Sequence, residues 1–234
     1  SRMKDFSIAP IPRLIFGSGA LYSLPKQLKA AGVSRIAVLT GGSSLDTSGW
    51  WAKIEDTLNS QDIIFERFTV KGEPSPQIVD EISAEAASQG CRGVVGIGGG
   101  SVIDASKAVS AMLTEPEGVR EYLEGVGTRT PSGTRVYLAA LPTTAGTGSE
   151  ATKNAVISQT GEGGFKKSLR HEHYIPDLAL LDPMLALDCP SGVTAASGLD
   201  AVTQLLESYV SVNANAYTDA LALEGLSKTG RSLQ

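Results

Sequence analysis

The chain is poor in the features that mark several protein classes. Its two cysteines, Cys91 and Cys189, lie in unrelated segments, and neither has a C-x-x-C partner. That usage excludes a disulfide framework and points to free thiols in a reducing cytoplasm. No run of about 18 apolar residues is present, so there is no membrane-spanning helix to expect. No signal-peptide pattern is visible either. The net charge is −5 and no basic face shows in the sequence. That balance argues against nucleic acid or an anionic membrane as a partner. What is present suits a packed fold: of 234 residues, 41% are hydrophobic and 19% charged. This length allows one large domain or two ordinary ones. Glycine is plentiful at 26 residues, as many tight strand-to-helix turns require.

One stretch organises the rest. Val94-Val95-Gly96-Ile97 is an apolar run that passes through Gly98-Gly99-Gly100 into Ser101-Val102-Ile103-Asp104. Apolar residues then fall at 102, 103, 105, 108, 109 and 112, a helical stripe. The pattern predicts a buried strand feeding a helix through a turn without side chains. Glycine there permits unusual backbone angles and lets an anionic ligand approach the main chain. The first amides of the helix, with the positive end of its dipole, make a seat for phosphate. Ser101 is expected as the N-cap, with Asp104 completing a capping box in place of Glu or Gln. The motif is neither Gly-x-Gly-x-x-Gly nor a P-loop. Taken alone, it also fits a plain turn with glycines for tight packing.

Along the chain, strands are expected at 13–16, 35–40, 63–68, 135–141 and 178–183, and helices at 21–31, 46–59 and 77–89. The last of these should turn Ile78, Ile82, Ala86 and Ala87 inward. Alternation with short loops is the signature of an α/β fold with a mostly parallel sheet. Ligands of such sheets bind at the carboxyl ends of the strands, so Gly41-Gly42 and Gly98-Gly99-Gly100 should face one crevice. A second polar stretch, Pro142-Thr143-Thr144-Ala145-Gly146-Thr147-Gly148-Ser149-Glu150-Ala151-Thr152, follows a strand and offers hydroxyls to phosphate or ribose. Residues 154–159 and 166–169, split by Gly161-Glu162-Gly163-Gly164, predict a β-hairpin. After Asp188-Cys189-Pro190 strand signals stop, and 194–210 and 214–226 read as helices. The expected division is 1–188 and 189–234.

Together these segments resemble the iron-containing, or group III, alcohol dehydrogenases. The residues that carry the resemblance are Gly98-Gly99-Gly100-Ser101-x-x-Asp104, Pro142-Thr143-Thr144-x-x-Thr147-Gly148-Ser149-Glu150, Asp182-Pro183 and Gly198-Leu199-Asp200-Ala201-Val202-Thr203. The resemblance implies a Rossmann-like N-terminal domain that binds NAD or NADP, then an all-helical domain for metal and substrate. It implies hydride transfer between a small-molecule alcohol and an aldehyde or ketone, with a divalent metal, iron or zinc, polarising the oxygen. It places the pyrophosphate at Gly98, Gly99, Gly100 and Ser101, and Asp104 near the nicotinamide half. Ser75 falls beside the adenosine portion, Thr143, Thr144, Thr147 and Thr152 line the cleft, and Lys166 matches a cofactor-facing lysine, with Lys167 one residue away. Gly41 stands where NAD-preferring members place Asp, whose carboxylate accepts from the ribose 2′-OH. Without that carboxylate NADP is accepted and slightly favoured.

Two departures bear on the metal. Asp200 matches one ligand, but the position four residues on is Gln204 rather than His. The spacing still shares a helical face, yet glutamine offers only a neutral carbonyl oxygen. The sequence reaches Gln234 before the segments with the family's other two histidine ligands. His171 and His173, the only histidines, precede the last expected strand and read as surface residues. The expectation is therefore a chain that holds the cofactor cleft with an incomplete metal site. The apolar faces of its two last helices point to a homo-oligomer. The other readings are a metal-independent, maleylacetate-reductase-like enzyme and a non-catalytic nucleotide-binding or interaction module. No catalytic side chain is assigned.

Overall fold

The computed structural model describes residues 12–144, 149 and 152–189. Six strands form one sheet: β1 (Arg13–Phe16), β2 (Arg35–Gly41), β3 (Ile64–Val70), β4 (Gly93–Gly98), β5 (Tyr137–Pro142) and β8 (Leu178–Leu181). Their order is β1-β8-β5-β4-β2-β3, and every pairing is parallel. Parallel strands covered on both faces need continuous apolar sequence, which Ile36-Ala37-Val38-Leu39 and Leu178-Ala179-Leu180-Leu181 supply. β6 (Asn154–Gln159) and β7 (Phe165–Arg170) form the expected antiparallel hairpin, with Ser158 opposite Lys166.

Two cores flank the sheet. Ala37, Leu39, Val94 and Leu138 point to one face and pack with α4 (Pro76–Ser88), α5 (Gly100–Met112) and the hairpin. Ile36, Val38, Val95, Ile97 and Leu180 point to the other. There they meet α1 (Leu24–Ala30), α2 (Ser44–Thr47), α3 (Trp50–Asn59) and α6 (Pro183–Asp188). Helix α5 lies between the sheet, α4 and β6, so it is buried nearly all round from Val102 to Met112. Each of its larger apolar side chains contributes roughly 1.5–3 kcal/mol by leaving water.

Several local expectations are corrected. The helix predicted over 46–59 is two helices, because Gly49 adopts φ 80°, a left-handed angle that ends α2 and starts α3. The helix expected at 21–31 opens as a 3-10 turn over Ala20–Ser23 before α1. In α4 the inward residues are Val79, Ile82, Ser83 and Ala86; Ile78 is half-buried and Ala87 exposed. The stripe is shifted because Ser75 is the N-cap and Pro76 starts the helix. Helix α6 was not foreseen. Asp182 caps it by accepting from Met184 N–H and also accepts from Leu21 N–H at 3.1 Å. One buried carboxylate thus ties the end of β8 to the first 3-10 turn. The helices expected at 194–210 and 214–226, and nearly all of the 189–234 domain, lie outside the described residues. Among the described residues no helix is long and apolar enough to cross a membrane.

Candidate functional site

The carboxyl ends of β2 and β4 lie side by side, with Thr40 opposite Ile97. From there the chain parts: β2 leads to β3 on one side, while β4 leads to β5 on the other. Connections that diverge in this way leave a crevice above the strand ends, the common ligand site of open α/β sheets. Gly41 and Gly98 meet over a single side chain. A Cβ on Gly41 would stand 3.0 Å from Val102 Cγ2, and one on Gly98 only 2.7 Å from the same atom.

The glycines divide by role. At Gly96 a Cβ would fall 2.3 Å from Ser106 Oγ, and at Gly98 it would strike Val102, so these two let α5 lie against β4. Gly99 is the N-cap of α5, and a Cβ there would sit 3.3 Å from Thr144 Oγ1. None of Gly96, Gly98, Gly99 and Gly100 has a left-handed angle, which corrects the expectation of unusual backbone geometry. Close approach is the reason for glycine here. Ser101 is not the N-cap; it sits inside the first turn, and no side chain caps α5. The first amides of α5 therefore keep no intrahelical acceptor.

Asp104 does not cap the helix either. Its Oδ2 accepts from Val156 N–H on β6 at 3.1 Å, and its Oδ1 lies 4.0 Å from Lys107 Nζ. Burial pushes the Asp104 carboxyl above its usual range, opposed first by the Lys107 charge and then by the Val156 amide. Lys107 is fully buried and donates to Thr152 Oγ1 at 2.8 Å and to Asn154 O at 3.0 Å. Sequence reasoning passed over Lys107. Its signal was an acid–base pair three residues apart in a helix otherwise apolar around most of its surface.

The threonine stretch joins the glycine turn directly. Thr143 N–H donates to Gly98 O at 2.9 Å, and the Thr143 side chain is buried. Thr143 and Thr144 thus lie beside Gly98 and Gly99, while Thr152 is held further along α5 by Lys107. Thr147 lies outside the described residues, as do Asp200 and Gln204, the positions expected to hold a metal. Among the described residues, no group of three or more His, Cys, Asp or Glu side chains could hold a metal ion. His171 caps a short 3-10 turn by accepting from His173 N–H at 3.0 Å.

Ser75 is partly committed as a cap, accepting from Ile78 N–H at 3.2 Å. It lines a cavity of about 700 Å³ with Glu73, Gln77, Ser158 and Thr160. The glycine turn is not part of that lining. Lys166 is exposed and ion-paired with Glu73, whose other oxygen accepts from Ser158 Oγ at 2.7 Å. These two donors hold the Glu73 carboxyl below its ordinary range, the Lys166 bond first. Lys166 pairs across the hairpin with Ser158, which lines this cavity, while Lys167 pairs with the fully buried Ile157. At the end of β2, Arg67 donates to Thr40 Oγ1 at 3.0 Å and to both carboxylate oxygens of Asp46, and it stacks over Trp51 at 3.9 Å. Sequence reasoning did not single it out.

The site suits a dinucleotide. It offers first-turn amides with no intrahelical acceptor for a pyrophosphate, a cradle at Gly99 that a side chain would crowd, and hydroxyls alongside. Gly42, at the lip, has nothing within 4 Å of the place a Cβ would take. The sequence pattern of iron-containing alcohol dehydrogenase matches residues 11–183.

The chain belongs to this family.

Among curated relatives, the Escherichia coli (strain K12) protein called "Probable alcohol dehydrogenase EutG" is 36% identical over 233 residues, 99% of this chain and 57% of that protein. Long-chain-alcohol dehydrogenase 1 of Geobacillus thermodenitrificans is 33% identical, over 96% of this chain and 58% of its own length. The chain therefore spans little more than half the length of the curated relatives it matches. Among solved structures, the sulfoacetaldehyde reductase of Bifidobacterium kashiwanohense in complex with NAD+ superposes with a TM-score of 0.70 at 26% identity. That likeness covers 81% of this chain and 49% of that one. The alcohol dehydrogenase from Oenococcus oeni gives a TM-score of 0.74 at 28% identity, over 91% and 55%. An iron-containing alcohol dehydrogenase with this architecture has the Rossmann-like sheet that the sequence pattern predicts.

Proposed function

We propose that this chain carries the NAD(P)-binding half of an oxidoreductase that interconverts alcohols with aldehydes or ketones. The observation that supports it most is the convergence of the glycine turn, the threonine stretch and the open end of β2 at one switch point. When bound, the nicotinamide exchanges a hydride with the substrate, and a divalent iron or zinc ion polarises the substrate oxygen.

The chain's own residues act as holders. The amides that open α5, from Gly100 to Val102, receive the pyrophosphate, with Gly98 and Gly99 keeping the approach bare. Thr143, Thr144, Thr147 and Thr152 supply hydroxyls to the ribose and phosphate groups. Asp104 sits towards the nicotinamide half. Ser75 and Lys166 face the adenosine and phosphate side, Lys166 being held at present by Glu73. Gly41 places no carboxylate against the ribose 2′ position, so NADP is accepted and slightly favoured over NAD. Asp200 and Gln204 are the positions assigned to the metal, with glutamine contributing a neutral and weaker oxygen. The substrate is a small molecule, the working form a homo-oligomer, and the setting the cytoplasm, in keeping with two buried free thiols. Residues 1–188 form the cofactor domain and 189–234 begin the metal and substrate domain.

Thermal unfolding with and without cofactor tests this reading. A ligand that binds only the folded chain at 100 times its Kd stabilises it by about 2.7 kcal/mol. Saturating NADPH should therefore raise Tm by several degrees, and NADH by less. No shift with either cofactor contradicts the proposal. Incubation with Fe2+ or Zn2+ followed by metal analysis tests Asp200 and Gln204, where Gln204→His should raise the metal retained.

A further inference from the structure

A buried lysine in a helix needs a reason, because an ammonium removed from water loses several kcal/mol unless its donors are all used. Lys107 is fully buried, and its charge sits two turns inside α5, away from the glycine turn. Its partners among the described residues include one from each of three pieces of the candidate cleft. Thr152 Oγ1 at 2.8 Å closes the threonine stretch, and Asn154 O at 3.0 Å is the first residue of β6. Asp104 at 4.0 Å lies one helical turn nearer the glycines. Asp104 in turn holds Val156 N–H, two residues further along β6. Thr152 also donates to Ser149 O at 3.4 Å, so the network reaches back into the threonine stretch.

We propose that Lys107 is the positioning residue of the cofactor cleft, fixing the far end of the threonine stretch and the start of the β6–β7 hairpin onto the helix that opens at the glycine turn. At its near end the stretch is already attached, through Thr143 N–H to Gly98 O. At its far end Thr152 is held by Lys107, and Ser149 is hydrogen-bonded to Asp104 beside it. A leucine or methionine would fill the same volume without joining those polar groups. The ammonium is used because it satisfies a hydroxyl, a carbonyl and a carboxylate from one point. Among the described residues, the groups that face it or its partner Asp104 include Thr152, Asn154, Ser149, the Val156 amide and, at longer range, the Glu73 charge. Lys107 touches no reacting atom; it acts through what it holds.

This inference rests on the cofactor reading above, and the test separates the two. The 234-residue chain is titrated with NADPH by nicotinamide fluorescence in wild type, Lys107→Met, Thr152→Val and the double variant. Folding is checked by circular dichroism. If wild type does not bind NADPH, the cofactor reading fails. If wild type binds, Lys107→Met should weaken binding about tenfold, and Thr152→Val should cost less in the Lys107→Met background than in wild type, since the joint they share is already gone. A folded Lys107→Met with wild-type affinity, or losses that simply add, overturns the role of Lys107 and leaves the cofactor reading standing. If Lys107→Met does not fold, Thr152→Val decides through a second readout, amide hydrogen exchange at Val156. A lost ligand contact at Thr152 would not disturb that amide, whereas a loosened Lys107–Asp104 network exposes it. Faster exchange at Val156 together with weaker binding supports the proposal; unchanged exchange overturns it.

Discussion

The ends of β2 and β4 are neighbours in one sheet, both end in glycine, and they behave as opposites. At β4 the glycines admit other parts of the protein: Ser106 fills the space over Gly96 and Val102 that over Gly98. The strand then feeds a helix of 13 residues, buried on most sides. At β2, Gly42 faces open space and the following helix has four residues, held partly by the exposed Arg67–Asp46 pair. The first end is a packing joint that also presents amides; the second is a rim that little else constrains. Evolution or design can therefore retune the rim at low cost, while the joint must stay as it is. The proposed selectivity position, Gly41, lies at the seam between the two, since a Cβ there would stand 3.0 Å from Val102 Cγ2, and the proposed pyrophosphate seat at the start of α5 lies on the joint.

Substitutions can break or sharpen the contrast. The largest effect is expected at Gly96→Ala, whose Cβ would stand 2.3 Å from Ser106 Oγ. Overpacking of this kind costs about 1–3 kcal/mol, read as a lower urea midpoint. Gly42→Ala should stay within about 0.5 kcal/mol of wild type, the usual range for a surface change. Equal losses at the two sites would end the distinction. Next comes Gly41→Asp. A carboxylate facing a 2′-phosphate is a like-charge contact worth several kcal/mol at most, so NADPH affinity should fall about tenfold or more relative to NADH. Val102 must yield slightly, because the new Cβ begins 3.0 Å from it. A ratio of dissociation constants that does not move removes Gly41 from the selectivity argument.

The smallest effect belongs to the rim's ion pair. The Arg67 hydrogen bond, with its charge, holds the Asp46 carboxyl below its ordinary 3.8 despite some burial cost. A lowered folded-state value stabilises the protein above the unfolded value and is lost as pH falls through the lowered one. With Asp46 about half exposed, solvent screening limits the effect to at most about 1 kcal/mol. Asp46→Asn should therefore lower the urea midpoint slightly at pH 6 and by less at pH 3. The same difference at both values would mean that the pair is not electrostatic.

Much of the parallel sheet could be read from the sequence because buried strands need unbroken apolar runs, as at 35–39 and 178–181, and few other structures use them. The two glycine-rich strand ends were likewise legible, since a strand stopping at glycines has few alternatives in an α/β pattern. The role of each glycine was not. Whether a missing side chain serves a ligand, a backbone angle or a neighbouring helix depends on what lies opposite, and Ser106 and Val102 are identified as the neighbours only by the register of α5 on β4. The capping box at Ser101 and Asp104 failed for a similar reason. Local spacing allowed it, but the amide of Val156, distant in sequence, took the Asp104 carboxylate instead. Lys107 was passed over because the acceptors Thr152 and Asn154, which show what it holds, come from a segment some 45 residues later. Lys166 and Lys167 could be told apart only once strand pairing set their faces.

The most direct test of the central claim is a fluorescence titration of the chain with NADPH and, separately, NADH. The account predicts saturable binding of NADPH in the micromolar range, about −8 kcal/mol, with NADH equal or weaker. Absence of saturable binding for both would contradict it, since the glycine turn, the threonine stretch and the open end of β2 would then form no cofactor cleft.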